Sequence, residues 1–129
     1  MNLVLPSDDL PPDDQPSQLA GDFDALLRRQ LELSTCKHFF EACDGAVQSL
    51  LMECTWDIQV GTVLVLIIRC PNALTNWRVL NRLAAIAKVL AQFSPLAKIR
   101  VYPPRDKGSP FAMRVDERSE YRDGQQNRP

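Results

Sequence analysis

The chain has 129 residues, 45% hydrophobic and 24% charged, which is room for one domain with a modest core and an ordinary balance for a soluble globular protein. Its longest strongly apolar run, VLVLII at 63–68, is too short to span a bilayer, and the opening MNLVLPSDD lacks the basic stretch of a signal peptide. The expectation is therefore a cytoplasmic protein with no membrane insertion. The formal charge of −1 hides an asymmetry: residues 1–24 hold six aspartates and no lysine or arginine, while residues 58–114 hold nine cations against Asp106 alone.

Residues 1–20 read as a disordered acidic tail, because four of the ten prolines fall within the first sixteen positions and apolar surface is scarce. Asp22 is placed to cap a first helix, with Phe23, Leu26, Leu27 and Leu31 at helical spacing. Ser34 or Thr35 caps a second, striped by Cys36, Phe39, Phe40 and Cys43, and Gly45 stops it. Together they read as a helical hairpin.

Alternation then replaces helical spacing. In SLLMECTWD, Leu50, Met52, Cys54 and Trp56 fall on one face of an expected strand, and DIQVG turns the chain. TVLVLIIRC is apolar on both faces, as a central strand must be. A long third helix follows, with Val79, Leu83, Ile86, Leu90 and Phe93 on its apolar side, ended by Ser94-Pro95. AKIRVYP alternates again, with Ile99 and Val101 inward; PPRDKGSP is turn chemistry; FAMRVDE places Phe111, Met113 and Val115 inward. The expected fold is α+β: a helical hairpin, then strand-strand-helix-strand-strand, with one four-stranded sheet covered by helices. It occupies residues 21–117, and 118–129 form a flexible C-terminal tail.

The strand end RCPN raises the question of a nucleophilic Cys70. A phosphatase loop needs an arginine six positions after the cysteine, where this chain has Asn76; the first arginine is Arg78. Pro71 also removes an amide donor from the loop, which has no glycine. Cys36, Cys43, Cys54 and Cys70 include no C-x-x-C pair, and His38 is the only histidine, so neither a zinc site nor any cofactor is expected. Phosphate-binding and hydrolase motifs are absent, and no catalytic residue is assigned.

The cations carry the remaining signal. Arg78, Arg82 and Lys88 share the polar side of the third helix, Arg100 lies on the following strand, and Trp77 and Tyr102 bring aromatic surface beside them. Buried aromatics and arginines are the usual anchors of protein interfaces. The expectation is a non-catalytic adaptor or assembly factor whose basic helix face binds an acidic or amphipathic segment of a protein partner. The alternative is a nucleic-acid-binding regulator using the same six residues, with phosphates on the cations and bases on the rings.

The stretch 22–102, with FF in its second helix, then IIRCPN, NWRVLNRLAAIAKVL and KIRVYP, resembles the KH-like N-terminal domain of the bacterial replication initiator DnaA. That resemblance implies a partner-docking domain with at best weak single-strand binding. The chain departs from it in the strand FAMRVDE and in lacking a G-x-x-G loop. PFAMRVDERSEYRD is also similar to small cyanobacterial proteins, some of which act in assembly.

Overall fold

The computed structural model describes residues 14–105 and 108–117, with side chains from residue 21 onward. The remainder of the expected acidic tail, residues 1–13, and the expected C-terminal tail, 118–129, lie outside the described residues. The chain divides into two compact units, Met1–Leu31 and Glu32–Pro129. The elements in order are α1 (Asp14–Ala42), α2 (Gly45–Met52), β1 (Thr55–Val60), β2 (Leu64–Arg69), α3 (Ala73–Asn81), α4 (Leu83–Ala91), β3 (Lys98–Tyr102) and β4 (Phe111–Arg114). The α+β class holds: a helix pair precedes one four-stranded mixed sheet.

Three boundaries differ from the sequence reading. Helix α1 begins at Asp14, inside the stretch read as a tail, and runs unbroken through Ser34 and Thr35. No proline or glycine interrupts it there. Its two apolar stripes are out of phase at 3.6 residues per turn, and that phase change is what reads as two helices. The hairpin's true break is at Cys43–Asp44. Asp44 takes an extended backbone, its side chain accepts from the Val47 amide at 2.8 Å, and Gly45 starts α2 rather than merely ending α1. Gln48 then donates to the Phe40 carbonyl at 2.8 Å, which also accepts the Cys43 amide at 3.2 Å, so that acceptor at the end of α1 is doubly used.

The second correction concerns 50–57. Leu50 and Met52 are helical, not extended, because Val47, Leu50 and Leu51 sit at the three- and four-residue spacing that buries one face of α2, while Met52 is 74% exposed. The strand starts only at Thr55, and Asp57 to Val60, expected to turn the chain, belong to β1. The turn is Gly61 to Val63, closed by the Gly61 amide on the Val63 carbonyl.

The third is the long helix between the hairpins, which is two nine-residue helices. Arg82 leaves helical geometry (φ −109°, ψ 10°) and its amide bonds the Val79 carbonyl three residues back. Asn81 Nδ2 meanwhile takes the Trp77 carbonyl at 2.8 Å, the local competition with the backbone that makes asparagine a poor helix-interior residue.

The sheet order is β1-β2-β3-β4. β1 and β2 pair antiparallel, β3 and β4 likewise, and the central β2–β3 pair is parallel, so α3 and α4 supply the crossover it requires. Ile58, Leu66, Ile68, Ile99 and Val101 are fully buried on one sheet face, in one cluster with Phe39, Val47, Leu51, Val79, Ile86 and Leu90. Phe39 meets the edges of Trp56 at 5.8 Å and Phe93 at 6.3 Å, and Phe40 stacks on Trp56. Such pairs add about 0.5–1.5 kcal/mol each beyond their burial. Phe111 falls on the core face as expected, opposite the buried Val101, but is 43% exposed because β4 is an edge strand, whereas Val115 is buried. At the opposite edge the Glu32 carboxylate accepts the Val60 amide at 2.9 Å, which occupies a backbone donor that an edge strand otherwise leaves available.

Candidate functional site

Asn72 opens α3 with an extended backbone and a side chain that accepts from the Thr75 amide at 2.8 Å. Capping fixes the phase of the helix, so Val79 turns into the core while Trp77 stays 62% exposed. Between α2 and α3 lies a groove of about 370 Å³, floored by Ala46 and Leu50 and rimmed by Trp77, Arg78, Asn81 and Arg82. Arg78 leans on Glu53 at 3.4 Å, an ion pair about half exposed on both sides and so worth ~0–1 kcal/mol. Glu53 also accepts from the Thr75 hydroxyl at 3.3 Å. Arg82 has no acidic partner among the described residues, leaving its guanidinium available at the groove's rim. The non-helical backbone at the α3–α4 break carries it there.

The six residues singled out from sequence do not share one surface. Trp77, Arg78 and Arg82 line the groove. Lys88 is exposed on α4 and is no part of it. Arg100 and Tyr102 alternate with the buried Ile99 and Val101 on β3, so their side chains leave the sheet on the face away from the core cluster.

That outer face has its own order. Thr55, Arg69 and Tyr102 form one row across β1, β2 and β3; Asp57, Ile67, Arg100 and Ala112 form the next; Gln59, Val65, Lys98 and Arg114 form a third. The Arg69 guanidinium lies over the Tyr102 ring, 5.3 Å from its centroid. Ile67 is only 6% exposed and lies outside the main core cluster, beneath these long side chains. A shallower hollow of about 240 Å³ opens among Lys98, Arg100, Met113, Arg114 and Glu117. Arg114 is engaged by Asp116 at 3.1 Å, whereas Lys98 and Arg100 have no acidic partner among the described residues.

Sequence reasoning missed Arg69 and Glu53. Arg69 could have been found from its alternation with Val65 and Ile67, which puts it on the outer face with Arg100. Glu53 meets Arg78 across 25 residues, and no local pattern announces that.

Cys70 is 6% exposed, its amide extends the β2–β3 ladder to the Tyr102 carbonyl, and burial pushes its thiol up, with a hydrogen bond from Cys54 pulling the other way. Burial also pushes Cys54 up to about 12, with the neighbouring Cys70 adding to it, and Cys43 up to about 11, with Asp44 adding to it. Thiols so raised stay protonated at neutral pH, the reverse of an activated nucleophile. His38 stands 3.8 Å from Glu41, both well exposed. Among the described residues no three histidine, cysteine or carboxylate side chains converge on a metal site, and no helix is long and apolar enough to cross a membrane. No family model, curated protein or solved structure matches the chain.

Proposed function

We propose that the chain is a non-catalytic interaction module, an adaptor or assembly factor of the cytoplasm, whose α2–α3 groove receives an acidic, amphipathic segment of a protein partner. The observation that carries this reading is the exposed Trp77 standing over an apolar floor beside Arg82, which has no acidic partner among the described residues. An aromatic wall next to a guanidinium suits a segment that presents an apolar side chain to Ala46 and Leu50 and a carboxylate to Arg82. Arg78, already held by Glu53, contributes more to the shape of the rim than to charge. The resemblance to the DnaA N-terminal domain, a partner-docking domain, points the same way. The test is affinity purification from the native host with wild type, Trp77→Ala and Arg82→Glu, followed by calorimetry with the recovered partner. Both variants should lose the partner at least about tenfold in affinity, or ~1.4 kcal/mol. Binding unchanged in both places the function elsewhere.

A second reading follows from the outer face of the sheet. Arg69, Lys98 and Arg100 on the two central strands, with Tyr102 among them, are the chemistry of a single-strand nucleic-acid platform. Lys98 and Arg100 are two residues apart along a strand, about 6.6 Å, a spacing suited to successive phosphates. Fluorescence anisotropy with a labelled single-stranded oligonucleotide should then show affinity that falls steeply with salt and is lost in Arg69→Glu/Arg100→Glu. No binding by wild type at low salt ends that reading without touching the first.

A further inference from the structure

The N-terminal unit carries an anomaly that neither reading above uses. Phe23, Leu26, Leu27 and Leu31 on α1 are 60, 56, 47 and 53% exposed. At about 100° per residue all four fall within an arc of roughly 140° on one side of the helix. An exposed apolar stripe of this kind, which Gln30 interrupts, marks a contact surface rather than scattered surface leucines. The charges beside it have a definite order: Asp24 and Arg28 follow one border of the stripe, Asp22 and Arg29 the other. On each border the acid is nearer the N-terminus and the arginine nearer the C-terminus.

We propose that this stripe is the contact between two copies of the chain, packed antiparallel with the two-fold axis at Leu26. In an antiparallel helix pair each border faces the same border of a copy running the other way. Asp24 then meets Arg28 of the second copy, and Asp22 meets Arg29, the two pairs placing the axis within about half a residue of the same level. A parallel pair would bring the two acidic ends together and the two arginine ends together, setting like charges against each other. The charge order therefore selects both the occupant and its direction. Leu26 packs on its own equivalent, Phe23 lies against 26–30 of the second copy, and Leu27 and Leu31 close one side. Leu26 is also near the middle of the 29-residue α1, so this axis lets most of the helix overlap. The inference is independent of the groove and of the outer sheet face.

Sedimentation equilibrium of the full chain, from micromolar to hundred-micromolar concentration, is the test. Wild type should approach twice 14.6 kDa, and Leu26→Glu, at an exposed position that leaves the helical circular dichroism unchanged, should weaken the dimer at least about tenfold. Asp24→Arg should weaken it as well, and Asp24→Arg/Arg28→Asp should restore it. Leu26→Cys treated with glutathione disulfide should give a covalent dimer on the axis. Leu31→Cys should not, because its equivalent lies ten residues away along the helix, about 15 Å; wild type, with its own four thiols, is the control. A wild type that stays monomeric throughout, a dimer unaffected by Leu26→Glu, or equal cross-linking at 26 and 31 each overturns the proposal.

Discussion

Replacing Glu32 by alanine removes the carboxylate that accepts the Val60 amide at 2.9 Å. Glu32 is 9% exposed, so the bond is made in a largely dry setting at the outer edge of β1. Two effects oppose each other. The variant no longer has to bury a carboxylate, which favours it, but the Val60 amide is left without that acceptor. Hydrogen bonds to charged groups contribute about 1.5–3 kcal/mol, and an orphaned buried donor costs about 1–3 kcal/mol. Because β1 is an edge strand, some water reaches the vacated site and recovers part of the loss. The expected net destabilisation is ~1–2 kcal/mol for Glu32→Ala. Glu32→Gln keeps a neutral acceptor at the same reach and should lose less than half as much. Urea unfolding followed by circular dichroism measures both, and the midpoint should fall with the slope unchanged. If alanine is as stable as wild type, the edge bond contributes nothing and the reasoning fails. If glutamine is as damaging as alanine, the charge rather than the acceptor is what the site needs.

Two further predictions concern capping and the thiols. Asp44→Ala should destabilise by ~0.5–2 kcal/mol through the lost cap on the Val47 amide, and Asp44→Asn should restore most of it, read from the same urea midpoints. Cys54 and Cys43 have thiols raised from 9.0 to about 12 and about 11, so the folded state holds its protons where the unfolded state gives them up. Their contribution to stability is therefore intact below pH 9.0 and lost as pH rises through about 11 for Cys43 and about 12 for Cys54. Cys43→Ser/Cys54→Ser should flatten the decline of urea midpoints above pH 9.0, and an identical decline in the variant would count against it.

The parts of the fold legible in the sequence are those whose burial leaves a pattern in the chain. β2 reads as central because Leu66, Ile67 and Ile68 are apolar on both faces, and all three are buried. β3 reads as half-buried because Ile99 and Val101 alternate with Lys98, Arg100 and Tyr102. The misreadings arise where two periodicities overlap in a short stretch. Leu50, Met52, Cys54 and Trp56 alternate by accident, across the end of α2, a turn and the start of β1. The break at Arg82 leaves no trace either, since the apolar spacing from Val79 to Leu90 continues through it. For the site, Trp77, Arg78 and Arg82 could be grouped because neighbours on one helix need no knowledge of topology. Closeness in sequence groups Arg100 and Tyr102 with them, and only the sheet puts them on the other side of the core.

Each strand's neighbour in the sheet is also its neighbour in the chain, and this bears on how the molecule assembles. The β1–β2 pair is joined by three residues and the β3–β4 pair by eight, so the loop-closure entropy of each is small and local. Of the three strand pairings, only the parallel β2–β3 pair joins distant segments, across residues 70–97. A sheet whose strand pairing is local apart from a single closure should form quickly for its size, with that closure as its slowest pairing step. Ile68→Val and Val101→Ala, one on each side of the parallel pair, should then slow folding, whereas Val60→Ala in the first hairpin should mainly speed unfolding. Stopped-flow refolding of the three variants would separate the two effects.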